Sequence, residues 1–162
     1  MTNHTIDLNS FELNPTLAQV LIDSQVFENL IHDDTSLPLV LDNLEPLLML
    51  QVGVDGAFAG FFSLEDLGTF AGKRVVEVHA FILPSMRKYS LILLKEMRNF
   101  IFANTSFSSI VTNVSDRYEA THRFLKFVGF KDFLHRPDVV TYNGEQFGMH
   151  YLFLEKEGVP TT

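Results

Sequence analysis

Two neighbouring groups of residues carry most of the chemistry this sequence offers. The first is Glu77-Val78-His79, a carboxylate and an imidazole two positions apart. On a strand that spacing puts both on one face, together with Val75 and Phe81. An imidazole titrates near about pH 6.5 and burial raises a carboxylic acid toward that range, so either side chain has the chemistry of a general base. A hydrogen-bonded sheet-face histidine beside a paired carboxylate accounts for the same two residues, and both accounts stay open at this level. The second group is Leu83-Pro84-Ser85-Met86-Arg87-Lys88-Tyr89-Ser90-Leu91-Ile92, where a β-branched stretch passes through a short turn into a helix. A helix N-terminus there offers N–H groups at the positive end of a dipole, which suits a diphosphate, and Arg87 and Lys88 add charge beside it. Two cations in a helix's first turn are equally what a solvated surface contains.

The flanking patterns say which elements must hold these groups. An extended start at Thr5 to Leu8 precedes a helix opened by Pro15, with Leu17, Val20, Leu21, Val26, Leu30 and Ile31 near helical spacing and a break near Ser24. Turn formers from Asp33 to Pro38 lead to a strand over Leu47 to Val54, and Asp55-Gly56 signals a hairpin returning through Ala57 to Leu64. A polar connection from Glu65 to Lys73 then reaches the strand Arg74 to Leu83 and a helix over Lys88 to Ala103 started by Pro84 and Ser85. A strand Ser109 to Asn113 follows, then a helix Arg117 to Val128 capped by Asp116 and closed by Gly129. The last hairpin pairs Lys131 to His135 with Gln146 to Leu154, with Asn143-Gly144 as a turn inside an irregular Arg136 to Glu145 connection. The right-handed crossover from Arg74 through Asn113 makes those two strands parallel, and the remainder can be antiparallel, so the expected class is α+β with a mixed, mostly antiparallel sheet.

Composition narrows the function classes. At 162 residues the chain holds one substantial core, and residues 1–162 read as a single domain. No run of about 18 apolar residues occurs, so no spanning helix is expected. The start Met1-Thr2-Asn3-His4 lacks the basic and apolar regions of a signal peptide and the chain has no Cys, which reads as cytoplasmic. With 20 acidic against 12 basic residues, a net charge of −8 repels phosphate backbones and argues against nucleic acid. His4, His32, His122, His135 and His150 show no metal-ligand spacing in sequence; His122 reads as a helix-face residue, and no metal is expected. There is no Gly-x-Ser-x-Gly elbow, Walker loop or dinucleotide fingerprint. The abundant Phe residues read most simply as core, some of them as an exposed patch for a partner.

The order of elements, the run Leu83-Pro84-x-x-Arg87, and Tyr118-Glu119-Ala120-Thr121-His122-Arg123-Phe124-Leu125-Lys126-Phe127-Val128-Gly129-Phe130 resemble the Gcn5-related N-acetyltransferases (GNAT superfamily). The resemblance spans about Leu47 to Leu154, and its short words are most similar to divergent GNAT-like proteins encoded by tailed bacteriophages, some of them packaged in virions. It implies the GNAT fold with helices on both faces of the sheet, and an activity: transfer of an acetyl group from acetyl-CoA, as co-substrate, to a primary amine. It implies that the backbone of Phe81, Ile82 and Leu83 aligns the pantetheine, and that Arg87, Lys88, Tyr89, Ser90 and Leu91 form the diphosphate loop. Tyr118 would then stand at the thioester and Glu77 or His79 would serve as the base. The sequence departs from the family where Ser90 and Ile92 replace loop glycines, where Leu125 replaces a tyrosine general acid and where Tyr118 replaces an asparagine. Ile92 is expected to crowd the diphosphate. The acidic balance suits a cationic acceptor such as a polyamine or a lysine side chain. The rival reading is a GNAT-fold protein that has lost catalysis and acts by protein binding, as a virion component or an inhibitor of a host factor. An open cleft at Ser90 and Ile92 favours the enzyme; a filled one favours the binder.

Overall fold

Asp55 and Gly56, both at positive φ, turn strand β2 (Leu48–Val54) back into β3 (Ala57–Phe70), as the Asp-Gly signal predicts. This is a computed structural model, and it describes residues 3–10, 14–27, 38, 42 and 48–157. The N-terminal strand β1 (Ile6–Ser10) lies antiparallel on β2, and Asp55 fastens it by accepting the Thr5 N–H at 2.9 Å and meeting His4 Nδ1 at 2.7 Å. Helix α1 (Pro15–Asp23) starts where the Asn14 side chain accepts the Leu17 N–H, with Pro15 in the first turn, and ends at Ser24, the expected break. The expected continuation to Leu30 and Ile31, the turn formers from Asp33 to Leu37, His32 and Leu47 lie outside the described residues.

The chain continues as β4 (Lys73–Ile82), a 3₁₀ helix (Pro84–Tyr89), α2 (Ser90–Asn104), β5 (Ser109–Ser115), α3 (Glu119–Val128), β6 (Lys131–Tyr142) and β7 (Glu145–Glu155). The strands form one sheet in the order β1-β2-β3-β4-β5-β7-β6, with β4 and β5 parallel and every other neighbouring pair antiparallel. Alternation along the strands then builds two cores. On one face, Leu50, Val52, Phe62, Leu64, Val76, Val78, Ile110 and Leu152 pack under α2, whose Leu93, Met97 and Ile101 are four residues apart and at most 1% exposed, and under Leu125 and Val128 of α3. On the other face α1 and its following turn bury Leu21, Val26 and Phe27 against Met49, Phe61 and Phe81. Burying each such side chain fully stabilises the fold by about 1.5–3 kcal/mol over leaving it exposed.

Four expectations are corrected. The stretch from Glu65 to Lys73 is not a connection: β3 runs to Phe70 and turns at Ala71-Gly72, because the Asp66–Arg74 ion pair at 2.7 Å and a bulge at Asp66/Gly68 carry a polar two-stranded ribbon past the core. The helix expected from Lys88 begins at Ser90, and the residues before it wind as 3₁₀ helix from Pro84, putting Arg87 and Lys88 in its last turn. Asp116 does not cap α3. The Tyr118 N–H reaches the Ser115 carbonyl to close a turn, α3 starts at Glu119, and the Asp116 carboxylate accepts the Gly148 N–H instead. The last hairpin is longer than expected on both arms, because the ladder resumes at Val140 after a bulge that expels Pro137, Asp138 (φ 55°) and Val139.

Candidate functional site

The site begins where β4 and β5 part. Their ladder holds Val75↔Ser109, Val76↔Ile110 and Glu77↔Val111 and then stops, although β4 continues on β3 to Ile82 and β5 continues on β7 to Ser115. Among the described residues, the edge of β4 from Val78 to Ile82 that faces β5 is therefore left without a strand partner. Gly60 explains where β4 goes instead. A Cβ at this residue would lie 2.1 Å from the Phe81 carbonyl oxygen, so only glycine lets β3 and β4 approach so closely, and the Leu83 N–H is bound to the Ala59 carbonyl at 2.8 Å.

The wedge is open, as two cavities that share Ala80, Tyr118, Thr121 and Leu125. One, of about 310 Å³, takes Ile82 from β4, Arg87 and Ser90 from the 3₁₀–α2 junction, and Leu93, Leu94 and Phe124 from the helices. The other, of about 300 Å³, takes His79 and Phe81 from β4, Asn113 and Ser115 from β5, Arg117, and Val140 and Met149 from the last hairpin. His79 and Phe81 alternate with Ile82, so these β4 side chains point to opposite faces of the strand, while Ala80 borders both cavities.

Glu77 and His79 meet as their spacing predicts, His79 Nε2 lying 3.0 Å from Glu77 Oε1. Asn113 Nδ2 donates to the same oxygen at 3.0 Å from across the parallel pair. These bonds, the one from His79 foremost, hold the Glu77 carboxyl below its ordinary range against the opposing effect of burial, so it is ionised at neutral pH. Only His79 of the two lines the cleft. With Nε2 committed to Glu77, its Nδ1 is the nitrogen left to act.

The other expected residues divide. Ile82, Arg87, Ser90 and Tyr118 line the first cavity and Phe81 the second. The Phe81 ring itself is core, stacked on Phe61 at 4.6 Å and tilted against Phe27 at 5.3 Å. Leu83 packs with the α1 core, Lys88 sits 5.3 Å over the Tyr89 ring, Tyr89 meets the His4 ring edge at 4.9 Å, and Leu91 of α2 packs against the larger core; none of these lines either cavity. Ile92 lies within α2 and lines neither cavity. Ser90 gives its hydroxyl, at 2.7 Å, and its N–H to the Arg87 carbonyl, so it serves the turn as well as the cavity. Asn113, Arg117 and Thr121 were not foreseen. Arg117 lies 3.3 Å over the Tyr142 ring and 5.7 Å from the Phe147 ring, which ties the hairpin to the wall of the cleft.

With this geometry in view, a model of the family described as protein of unknown function (DUF2824) matches residues 41–161. The chain belongs to that family. No curated protein matches the DUF2824 chain in sequence. Among solved structures it is similar to spermidine N-acetyltransferase from Vibrio cholerae in complex with CoA and spermine, at 12% identity, 91% of this chain, 95% of that one and a TM-score of 0.71. It is also similar to ribosomal-protein-alanine N-acetyltransferase from Brucella melitensis (15% identity, 91% and 99% covered, TM-score 0.66). A GNAT-family protein from Chromobacterium violaceum gives 12% identity, 93% and 82% covered and a TM-score of 0.69. The fold of the DUF2824 chain is thus the GNAT fold, a mixed seven-stranded sheet with helices on both faces.

Proposed function

We propose that this DUF2824 chain transfers an acetyl group from acetyl-CoA to an amine through the wedge between β4 and β5. The observation that carries the reading is the pair of cavities joined at Ala80, Tyr118, Thr121 and Leu125, with Arg87 at one mouth and a carboxylate-held His79 at the other. Bound acetyl-CoA supplies a thioester, whose acyl carbon is open to attack by an amine. Arg87 and the start of α2 at Ser90 hold its diphosphate by charge and dipole. The unpartnered edge of β4 offers backbone groups to the pantetheine amides. His79 takes the proton that the incoming ammonium sheds, and Glu77 orients the ring and stabilises the imidazolium that forms. Leu125 gives no proton, so solvent serves as the acid on that side. The described lining of the His79 cavity includes Arg117 and no Asp or Glu, which points away from a polyamine and toward an amine that also carries a carboxylate.

One observation favours the rival, a non-catalytic protein that acts by binding a protein partner, in a virion or on a host factor. A 3₁₀ helix stands where a glycine loop would cradle diphosphate, and the Ser90 N–H and hydroxyl are both spent on the Arg87 carbonyl. Calorimetric titration of acetyl-CoA and of free CoA into the wild type and Arg87→Ala separates the two readings. Micromolar binding that weakens about tenfold or more in the variant supports the enzyme and leads to a screen of amines with His79→Ala as control. No binding and no thermal stabilisation at millimolar acetyl-CoA removes it.

A further inference from the structure

The histidines that look scattered in the sequence converge beyond the cleft. His135 and His150 are registered partners on β6 and β7, and Asp116 stands just past the end of β5, facing them. His135 Nε2 and His150 Nε2 each lie 3.0 Å from Asp116 Oδ1, and the three ligand atoms are all within 4.8 Å of one another. Ligand atoms about 2.0–2.1 Å from a tetrahedral zinc stand about 3.3 Å apart, and the two 3.0 Å separations from Asp116 Oδ1 lie within a few tenths of an ångström of that spacing. We propose that Asp116, His135 and His150 form a binding site for a divalent ion of the zinc class, open to solvent at its remaining positions.

The surroundings are those of a ligand set held for coordination. The Gly148 N–H donates to Asp116 Oδ2 at 3.1 Å, which fixes the carboxylate and leaves Oδ1 to ligate. Gly148 must be glycine for this: a Cβ would lie 2.5 Å from Asp116 Oδ2 and 2.7 Å from His135 Nε2. On the other side of His150, Nδ1 faces Asp132 Oδ1 at 3.8 Å, and Asp132 is itself held by His122 Nε2 at 2.7 Å and Lys126 at 3.4 Å. A carboxylate behind the far nitrogen of a ligating histidine is a common outer partner, because it sets the tautomer and raises ligand basicity. The His122 ring stacks on His150 with centroids 3.8 Å apart. A cavity of about 320 Å³, lined also by Ser115, Glu119 and His122, gives the ion an entry path. Two imidazoles and one carboxylate suit zinc and its first-row neighbours better than magnesium or calcium, which prefer oxygen ligands.

The test is calorimetry of ZnCl₂ into untagged, chelator-stripped full-length protein, with Co²⁺ absorption spectra as a second readout. The expected result is one ion per chain at micromolar affinity, a raised melting temperature, visible Co²⁺ bands of low coordination number, and no effect of Mg²⁺ or Ca²⁺. His135 is 44% exposed, so His135→Ala should fold like the wild type in chelator yet lose the ion and the Co²⁺ bands. Asp132→Asn should weaken binding by about 10- to 100-fold, and His4→Ala, at the far end of the sheet, should leave it unchanged. Absence of stoichiometric Zn²⁺ binding overturns the proposal, as does wild-type affinity in both His135→Ala and Asp116→Asn.

Discussion

Replacing Gly60 by alanine tests whether the cleft exists because β3 and β4 are drawn together. Two costs add at this residue. Its φ of +146° lies in a region that side-chain-bearing residues seldom adopt, which costs about 1–3 kcal/mol. The new Cβ would also meet the Phe81 carbonyl oxygen at 2.1 Å and the Ile82 Cα at 2.9 Å, both backbone, whereas ordinary contact begins at 3.4 Å. The strands must therefore part by about 1 Å, which strains the Leu83–Ala59 hydrogen bond, a net loss of about 1 kcal/mol. The sum is about 2–4 kcal/mol, or a fall in Tm of about 4–16 °C for a chain of this size. Gly56→Ala is the matched control: its φ is +84° but nothing lies within 4 Å of the new methyl, so only the backbone penalty of about 1 kcal/mol applies, a fall of about 2–4 °C. Calorimetric melts of the two variants side by side give the difference directly. Equal melting temperatures would refute the close approach and with it the account of why β4 leaves β5.

Phe27→Ala removes a 2%-exposed ring that packs tilted against Phe61 and Phe81, and should lower unfolding free energy in urea by about 3–5 kcal/mol. Because bonds from His79 and Asn113 depress Glu77 below its ordinary value of 4.5, its stabilising contribution is complete above that pH and is lost as pH falls through the lowered value. Glu77→Gln should therefore flatten that part of the acid limb in melts taken as pH falls below 4.5. His150 is likewise depressed, from 6.5, so the unfolded chain binds its proton first and metal-free protein should begin to lose stability as pH drops below that value. In the acetyl-transfer reading, His79→Ala should lower kcat by about 10²-fold or more with little change in acetyl-CoA affinity, checked by initial rates beside calorimetry.

What the sequence revealed depended on how local the determining contact was. The Asp55-Gly56 turn and the shared face of Glu77 and His79 are set by neighbours a few positions apart, and the parallel crossover by the strand-helix-strand order; each stands as read. The ribbon past Leu64 was missed because its polar composition reads as a loop, whereas a cross-strand Asp66–Arg74 pair and a glycine bulge sustain it. Asp116 looked like a cap because helix signals are local, but its partner Gly148 comes from another strand. The same holds for Asn113 against Glu77, and for the histidines, whose meeting depends on the β6–β7 register and on a bulge no spacing rule reveals. Of the residues the GNAT resemblance implies, Phe81, Ile82, Arg87, Ser90 and Tyr118 line the cleft, whereas Lys88 and Tyr89 in the 3₁₀ helix and Leu91 in α2 do not.

The bulge in β6 also bears on how the molecule behaves in a crowd. β6 is the last strand of the sheet on its side, and an outermost strand is a template on which a second copy can continue the sheet. Here the template is broken in the middle. Pro137 has no N–H to offer, Asp138 turns the chain through positive φ, and Val139 carries the line out of register before it recovers at Val140. An incoming strand would find only short stretches to grip on either side, so the kink that brings His135 opposite His150 also opposes edge-to-edge pairing of copies of this chain.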